Sequence, residues 1–195
     1  MKTDIILCGV GGQGILSIAA AIGFAALDRK LQVKQAEVHG MSQRGGAVQS
    51  HLRLSDGEIS SDLIPYGGAD IILSVEPMES LRYLPYLSAD GWLLTNTATF
   101  ENIPDYPDVN EIENEILKIR KHVMIDADKI AREAGSVRAS NMVMLGAGSM
   151  YTGIEKQHFI SAIQKLFKTK GEDITRMNIL AFEKGEEAAR KYRAE

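Results

Sequence analysis

The stretch Asp4-Ile-Ile-Leu-Cys-Gly-Val-Gly-Gly-Gln-Gly14 decides the fold class of this chain. Its apolar run lacks polar alternation, which is typical of a strand buried on both faces of a parallel sheet. The glycines that follow allow a tight turn, and residues 12–29 then keep a helical spacing of apolar side chains. The inward residues of this predicted helix are Ile15, Ile18, Ala19, Ile22, Ala26 and Leu27. A strand, a glycine turn and a helix together predict an α/β domain.

Strands and helices alternate along the rest of the chain. Further strands are predicted at residues 31–38, 48–54, 69–75, 92–95 and 122–125. Further helices are predicted to begin at Pro77 and at Asp108 or Asn110, to run through Ile130 and Ala134, and to span residues 141–151, 155–168 and 173–192. Small residues at Gly146, Ala147 and Gly148 predict close packing of one helix against another backbone.

The strand at residues 48–54 departs from the buried, parallel pattern. Apolar and polar residues alternate in it, which predicts one covered face and places His51 on the polar face. Asp56-Gly57 is a turn signal, and it predicts a tight hairpin with a return strand at residues 58–61. We therefore expect a Rossmann-like, mostly parallel sheet flanked by helices, with an antiparallel hairpin excursion, in a single domain over residues 1–195.

The composition restricts the class of protein. With 45% hydrophobic and 25% charged residues, the 195-residue chain is typical of a soluble globular protein. Its net charge of -4 argues against non-specific nucleic-acid binding, which requires a basic face. The N-terminal apolar run is too short to span a membrane and lacks a signal-peptide pattern. We expect a cytoplasmic protein with neither a nucleic-acid nor a membrane partner.

The chain has one cysteine, Cys8, at the end of the first apolar run. One thiolate cannot hold an iron–sulfur cluster or a structural zinc site, because both require several ligands. We predict that Cys8 is a small buried side chain, and that this chain holds no metal ion.

The glycine turn has the spacing of a dinucleotide-binding motif. Gly9, Gly11 and Gly14 follow a strand and open a helix, as G-x-G-x-x-G does in nucleotide-binding domains. Glu37 lies 23 residues beyond Gly14 (37 minus 14), near the usual position of a ribose-binding acid. These features would suit a free-standing NAD- or flavin-binding reductase. No catalytic dehydrogenase constellation follows them.

A second, polar motif is Glu37-Val-His-Gly-Met-Ser-Gln-Arg-Gly-Gly-Ala47, which we call the central loop. It has no apolar run to bury, and its glycines permit a backbone to approach a ligand closely. Arg44 suits a carboxylate, a phosphate or a facing acidic side chain. His39 could transfer a proton near neutral pH or serve as a structural hydrogen-bonding group.

These motifs supply the candidate site residues. Arg44 and His39 are the candidate catalytic residues. Asn141 begins a predicted helix, where it could act as a cap or belong to a binding site. The full set of candidate cofactor-binding residues is Gly9, Gly11, Gly12, Gln13, Gly14, Glu37, Gly40, Ser42, Gln43, Gly45, Gly46 and Asn141.

The glycine turn, the central loop and Asn141 followed by Leu145-Gly-Ala147 resemble the gamma subunit or gamma domain of 2-oxoacid:ferredoxin oxidoreductases. Within that family, the central loop, with Ser61-Asp-Leu-Ile-Pro65 and Glu76-Pro77 after it, is most similar to the indolepyruvate-oxidising members. The resemblance covers nearly the whole chain. The central loop is its most specific part.

The resemblance implies a role in coenzyme A-dependent oxidative decarboxylation of an aryl 2-oxoacid. It implies that a large alpha subunit carries thiamine diphosphate, Mg and [4Fe-4S] clusters, and that ferredoxin is reached through the complex. Coenzyme A would be the co-substrate, and this chain would bind no cofactor alone. We expect the central loop to face the alpha subunit. A purely structural assembly subunit is the alternative.

Overall fold

The computed structural model describes residues 1–39, 46–101 and 103–193. Within them the strands form one sheet in the order β2-β3-β1-β4-β5-β6. The strands are β1 (Lys2–Val10), β2 (Gln32–His39), β3 (Ala47–Ser55), β4 (Ala69–Ser74), β5 (Leu87–Asn96) and β6 (His122–Ile125). β1, β4, β5 and β6 are parallel neighbours, whereas β3 runs antiparallel to both β1 and β2. The predicted fold class is confirmed.

The antiparallel excursion is the β2–β3 hairpin, and the predicted hairpin at Asp56-Gly57 is wrong. Residues 58–61 form no strand. Asp56 instead bonds to the N-terminus, accepting from the Met1 amine and donating its own N–H to the Met1 carbonyl oxygen at 3.1 Å. β3 already pairs with β2 on one side and with β1 on the other, so no edge remains for a return strand after Asp56-Gly57.

Seven helices and three short 3-10 turns are present in the described part of the chain. The helices are α1 (Ile15–Asp28), α2 (Pro77–Arg82), α3 (Val109–Leu117), α4 (Ala127–Glu133), α5 (Ser140–Ser149), α6 (Lys156–Phe167) and α7 (Glu172–Arg193). The 3-10 turns are Leu84–Tyr86, Val137–Ala139 and Lys168–Lys170. None of these helices is long and apolar enough to cross a membrane.

The ends of the helices follow the predicted signals. Pro77 stands in the first turn of α2, where its missing N–H is harmless, and Glu76 caps that helix. Asp108 caps α3 by accepting from the N–H of Asn110. α4 is followed by Gly135, whose φ of 117° suits glycine.

The sheet is covered on both faces. α1 and α4 to α7 pack on one face over a large core that includes Ile5, Leu7 and Leu73. α2 and α3 pack on the other face over a smaller core around Ile6 and Ile72. α1 is largely inward as predicted, but Leu27 is 58% exposed, so its predicted inward position is wrong.

The predicted close packing of the Gly146 segment is confirmed. A Cβ on Gly146 of α5 would lie 1.9 Å from the carbonyl oxygen of Phe182 in α7. A Cβ on Gly185 of α7 would lie 2.0 Å from the carbonyl oxygen of Val143 in α5. The two helices therefore approach at reciprocal glycines, and any larger side chain there would separate them.

Candidate functional site

The glycine turn connects the carboxyl end of β1 to the N-terminus of α1. The Val10 N–H donates to Gln13 Oε1 at 2.7 Å, and the Gln13 N–H donates to the Val10 carbonyl oxygen at 3.2 Å. Gln13 thus closes the turn with its own side chain. Gly14 has a φ of 83°, in the left-handed region that favours glycine. The first turn of α1 contains no acidic residue, so no carboxylate opposes an anion at this helix end.

Asn141 belongs to this turn rather than to the cap of its own helix. α5 begins at Ser140 with Ala139 as its N-cap, and no side chain caps it. Asn141 Nδ2 instead donates to the carbonyl oxygen of Gly14 at 3.3 Å. A Cβ on Gly14 would lie 2.4 Å from that nitrogen. The contact explains why glycine and asparagine occur at these two positions, and the capping interpretation is wrong.

Gly46, near the end of the central loop, is hydrogen-bonded to the glycine turn. The Gly11 N–H donates to the carbonyl oxygen of Gly46 at 2.8 Å, just before β3 begins. The two sequence motifs are therefore adjacent at the carboxyl end of β1. The predictions for Gly40, Ser42, Gln43, Arg44 and Gly45, and for the side chain of His39, fall outside the described residues.

Glu37 lies on the edge strand β2 and is exposed. Its carboxylate accepts from Gln35 Nε2. Because β3 separates β2 from β1, Glu37 is two strand spacings from the glycine turn, about 10 Å across the sheet. A ribose-binding acid normally ends the parallel strand next to β1. This arrangement does not suit a dinucleotide site of the usual type.

Glu76 is a buried polar centre that the sequence interpretation missed. It caps α2 by accepting from the Glu79 N–H at 2.8 Å. The Tyr106 hydroxyl and the Phe100 N–H, the latter at 3.4 Å, donate to its other oxygen. Burial and the hydrogen bond to Glu76 raise the pKa of Tyr106. Through these hydrogen bonds, Glu76 holds the connection between β5 and α3 against the carboxyl end of β4. The dipeptide Glu76-Pro77 was the available signal, since an acid before a proline is a typical helix start.

Glu79, one turn further along α2, is fully buried. Arg82 Nε donates to one carboxyl oxygen at 3.0 Å, while the other oxygen has no hydrogen-bond partner among the described residues. Burial raises the pKa of Glu79, and the charge of Arg82 opposes this shift.

The Cys8 thiol donates to the Glu79 carbonyl oxygen at 3.7 Å, and burial also raises the pKa of Cys8. Cys8 is the buried small side chain that was predicted.

His51 is buried, so the prediction that β3 is covered on one face only is wrong. The Ile64 N–H donates to His51 Nδ1 at 3.0 Å, which leaves the proton of the neutral ring on Nε2. Tyr86 packs against the ring edge-on, with centroids 5.2 Å apart. Burial and the nearby charge of Arg53 lower the pKa of His51. His51 is a neutral structural residue on the same face of the sheet as α2 and α3.

The sequence profile of the pyruvate ferredoxin/flavodoxin oxidoreductase family matches residues 4–188. The chain belongs to this family. It is a subunit of a 2-oxoacid:ferredoxin oxidoreductase, as the resemblance in the glycine turn and central loop predicts.

Two relatives and one solved structure illustrate the similarity. The indolepyruvate oxidoreductase subunit IorB of Archaeoglobus fulgidus is 38% identical, over 95% of this chain and 94% of its own length. The IorB subunit of Pyrococcus horikoshii is 37% identical, over 96% of each chain. The structure of the 2-oxoglutarate:ferredoxin oxidoreductase of Magnetococcus marinus with 2-oxoglutarate, coenzyme A and succinyl-CoA superimposes with a TM-score of 0.77 at 21% identity. That match covers 97% of this chain and 31% of the longer one, and it concerns the fold alone.

Proposed function

We propose that this chain is the small subunit of an oxidoreductase that acts on indolepyruvate or a related aryl 2-oxoacid. The complex would release carbon dioxide from the 2-oxoacid, transfer the acyl group to coenzyme A and pass the electrons to ferredoxin. The choice of substrate is supported by the IorB subunits, which are 37% and 38% identical to this chain over nearly its whole length.

Thiamine diphosphate, Mg and the [4Fe-4S] clusters belong to the alpha subunit in this proposal. An iron–sulfur cluster does not fit this chain, because a cluster requires several thiolates and the sequence has one cysteine, the buried Cys8. The described residues also contain no group of three or more His, Cys, Asp or Glu that could hold a metal ion. Thiamine diphosphate, when bound to the alpha subunit, supplies the electron sink that decarboxylation of a 2-oxoacid requires.

The observation that carries the proposal is the hydrogen bond between Gly11 and Gly46, 2.8 Å long. It joins the glycine turn to the base of the central loop at the carboxyl end of β1. Ligands of open α/β sheets bind at this end of the strands. The central loop would therefore face the alpha subunit near its thiamine site and help to close the channel for substrate and coenzyme A.

Two groups of this chain would then contact ligands directly. Arg44 would bind a carboxylate or a phosphate through two parallel hydrogen bonds, and Gln43 and His39 would be further candidate contacts. The N-terminus of α1 would accept a phosphate of coenzyme A, because a helix N-terminus attracts anions. Neither role requires a proton to leave this chain, so its contribution would be binding and orientation.

The test is co-expression of this chain with the alpha subunit from the same source. Dye reduction that depends on coenzyme A would be assayed with indolepyruvate, phenylpyruvate and 2-oxoglutarate, with and without this chain. We expect activity only in the complex, and faster turnover of the two aryl substrates. Full activity of the alpha subunit alone would contradict the proposed role, and a preference for 2-oxoglutarate would contradict the proposed substrate.

A further inference from the structure

Asn141 is a buried amide with one end left open. The residue lies against the glycine turn and is 9% exposed. Its Nδ2 donates to the Gly14 carbonyl oxygen at 3.3 Å, and because a carbonyl oxygen can only accept, this contact fixes which end of the amide is the NH2 group. Oδ1 is therefore the free end. It accepts no hydrogen bond from the described residues, and it is not sealed from the surface.

Gln13 is anchored in the opposite sense. Its Oε1 accepts from the Val10 N–H at 2.7 Å, and because a backbone N–H can only donate, the free end of this amide is Nε2. Within the described part of the chain nothing accepts from Nε2, which is also open to the surface. Gln13 adjoins Gly14 in sequence, and Asn141 is bonded to Gly14. The glycine turn is therefore flanked by one free donor and one free acceptor.

A donor beside an acceptor is the pattern that another amide group satisfies. A secondary amide can donate its N–H to Asn141 Oδ1 while its carbonyl oxygen accepts from Gln13 Nε2. A phosphate offers acceptor oxygens, so it would suit Gln13 and leave Asn141 Oδ1 without a donor. A buried polar group without a partner is costly, which favours a ligand that satisfies both side chains.

We propose that Gln13 and Asn141 bind an amide group in the pantetheine arm of coenzyme A. This inference deepens the proposed function and rests on it, because it takes coenzyme A as the co-substrate. It assigns the phosphates to the N-terminus of α1 and the uncharged arm to the two side-chain amides beside it. The arm ends in the thiol that receives the acyl group, so holding the arm would orient that thiol.

The test is Gln13→Glu in the full-length chain, in the complex with the alpha subunit and with pantetheine as the acyl acceptor. Glutamate keeps an oxygen for the Val10 N–H, so the turn should stay closed and the Tm should remain within about 2 °C of the wild type. It lacks the NH2 donor, so we expect the KM for pantetheine to rise about fivefold with little change in kcat. Pantetheine is uncharged, so repulsion by the new carboxylate contributes little. Leu16→Glu, which adds the same charge at an exposed position in the first turn of α1, is the matched control.

Asn141→Ala removes the acceptor and should raise the same KM by a similar factor. An unchanged KM in both variants would overturn the inference, because water alone would then satisfy the two amides. So would an equal effect of Leu16→Glu, or a wild-type complex that neither acylates pantetheine nor is inhibited by it. A wild-type complex without any 2-oxoacid oxidation that depends on coenzyme A would contradict the proposed function, and the inference with it.

Discussion

The side-chain amide of Asn141 bonds to the carbonyl oxygen of Gly14 at 3.3 Å, across 127 residues of sequence. The contact holds the N-terminus of α5 against the N-terminus of α1. It also fills the space that a side chain at position 14 would need, since a Cβ there would lie 2.4 Å from Asn141 Nδ2. The two positions should therefore be coupled in stability.

The coupling can be measured with Gly14→Ala, Asn141→Ala and the double variant. Gly14→Ala should cost about 2 kcal/mol or more, from the left-handed backbone and the clash with Asn141. Asn141→Ala should cost about 1 kcal/mol, from the lost hydrogen bond. In the double variant only the Cβ of residue 141 remains, 3.3 Å from the added Cβ, so most of the clash is relieved and the combined cost should be smaller than the sum. Urea unfolding gives all three values, and additivity within about 0.5 kcal/mol would contradict the coupling.

The carboxyl group of Glu76 accepts from three donors, which makes it sensitive to replacement by an amide. In Glu76→Gln an NH2 group must face one of these donors, so we expect a loss of about 1–3 kcal/mol in the free energy of unfolding. Tyr106→Phe removes one donor and should cost about 1 kcal/mol. Glu101→Gln, at an exposed position in the same connection, is the control. Equal stability of Glu76→Gln and Glu101→Gln would show that the buried cap contributes nothing.

Glu79 should make stability depend on pH in a direction unusual for a carboxyl group. Burial raises its pKa in the folded chain, so the folded state holds the proton more tightly than the unfolded state. Its contribution is therefore fully present below the unfolded-state pKa and is lost as the pH rises through the folded-state pKa. Glu79→Gln removes this dependence and keeps an oxygen for Arg82.

Urea unfolding of the wild type and Glu79→Gln at pH 4 and pH 7.5 tests this expectation. The variant should gain stability relative to the wild type as the pH rises. Only the difference between the two proteins is informative, because exposed groups such as Asp28 and Glu155, whose pKa values are lowered by His158 and Arg29, act in the opposite direction. If the difference in the free energy of unfolding between the two proteins does not change with pH, the pKa of Glu79 is not raised in the folded chain.

Arg44→Ala should lower turnover of the reconstituted complex at least tenfold without preventing assembly. Its physical reason is the loss of charge-assisted hydrogen bonds, which contribute about 1.5–3 kcal/mol. Arg120→Ala is the control, because Arg120 is exposed and bonds to Asp90 at 3.1 Å, away from the carboxyl end of β1. Unchanged kinetics in an assembled Arg44→Ala complex would favour a purely structural subunit.

Gly11→Asp should weaken binding of coenzyme A to this chain, as measured by calorimetric titration. An added carboxylate beside the N-terminus of α1 would repel the phosphates of coenzyme A, and screening by salt would reduce the effect. Equal affinities of the wild type and Gly11→Asp would mean that the glycine turn is structural. Gly57→Asp, in an exposed turn, controls for the change in net charge.

Local signals predicted much of the fold. The buried run before Gly9, the proline at position 77 and the acid at position 108 each mark the start or end of an element through chemistry within a few residues. The errors concern contacts between distant residues. Asp56-Gly57 is a correct turn signal, but β3 pairs with β1 and β2 instead of a local return strand. His51 lies on a polar face by pattern, and Ile64 and Tyr86 cover it in space.

The candidate site was predicted in the same uneven way. The glycine turn and the central loop were recognised from their residues, and the bond between Gly11 and Gly46 joins them. The position of Glu37 could not be predicted, because it depends on the insertion of β3 between β2 and β1. Glu76 and Tyr106 were missed because they are 30 residues apart and their pairing depends on the path of the connection between them.

The β2–β3 hairpin has a consequence for how this protein can vary. The last paired residues before the loop are His39 and Val48, each held by a strand with its own place in the sheet. Strand pairing between β2 and β3 therefore fixes both ends of the segment between them, whatever residues that segment contains. Mutation can alter the length or chemistry of the segment while the register of the sheet is kept. Under the proposed function this segment contacts the substrate, so substrate preference would evolve separately from folding stability.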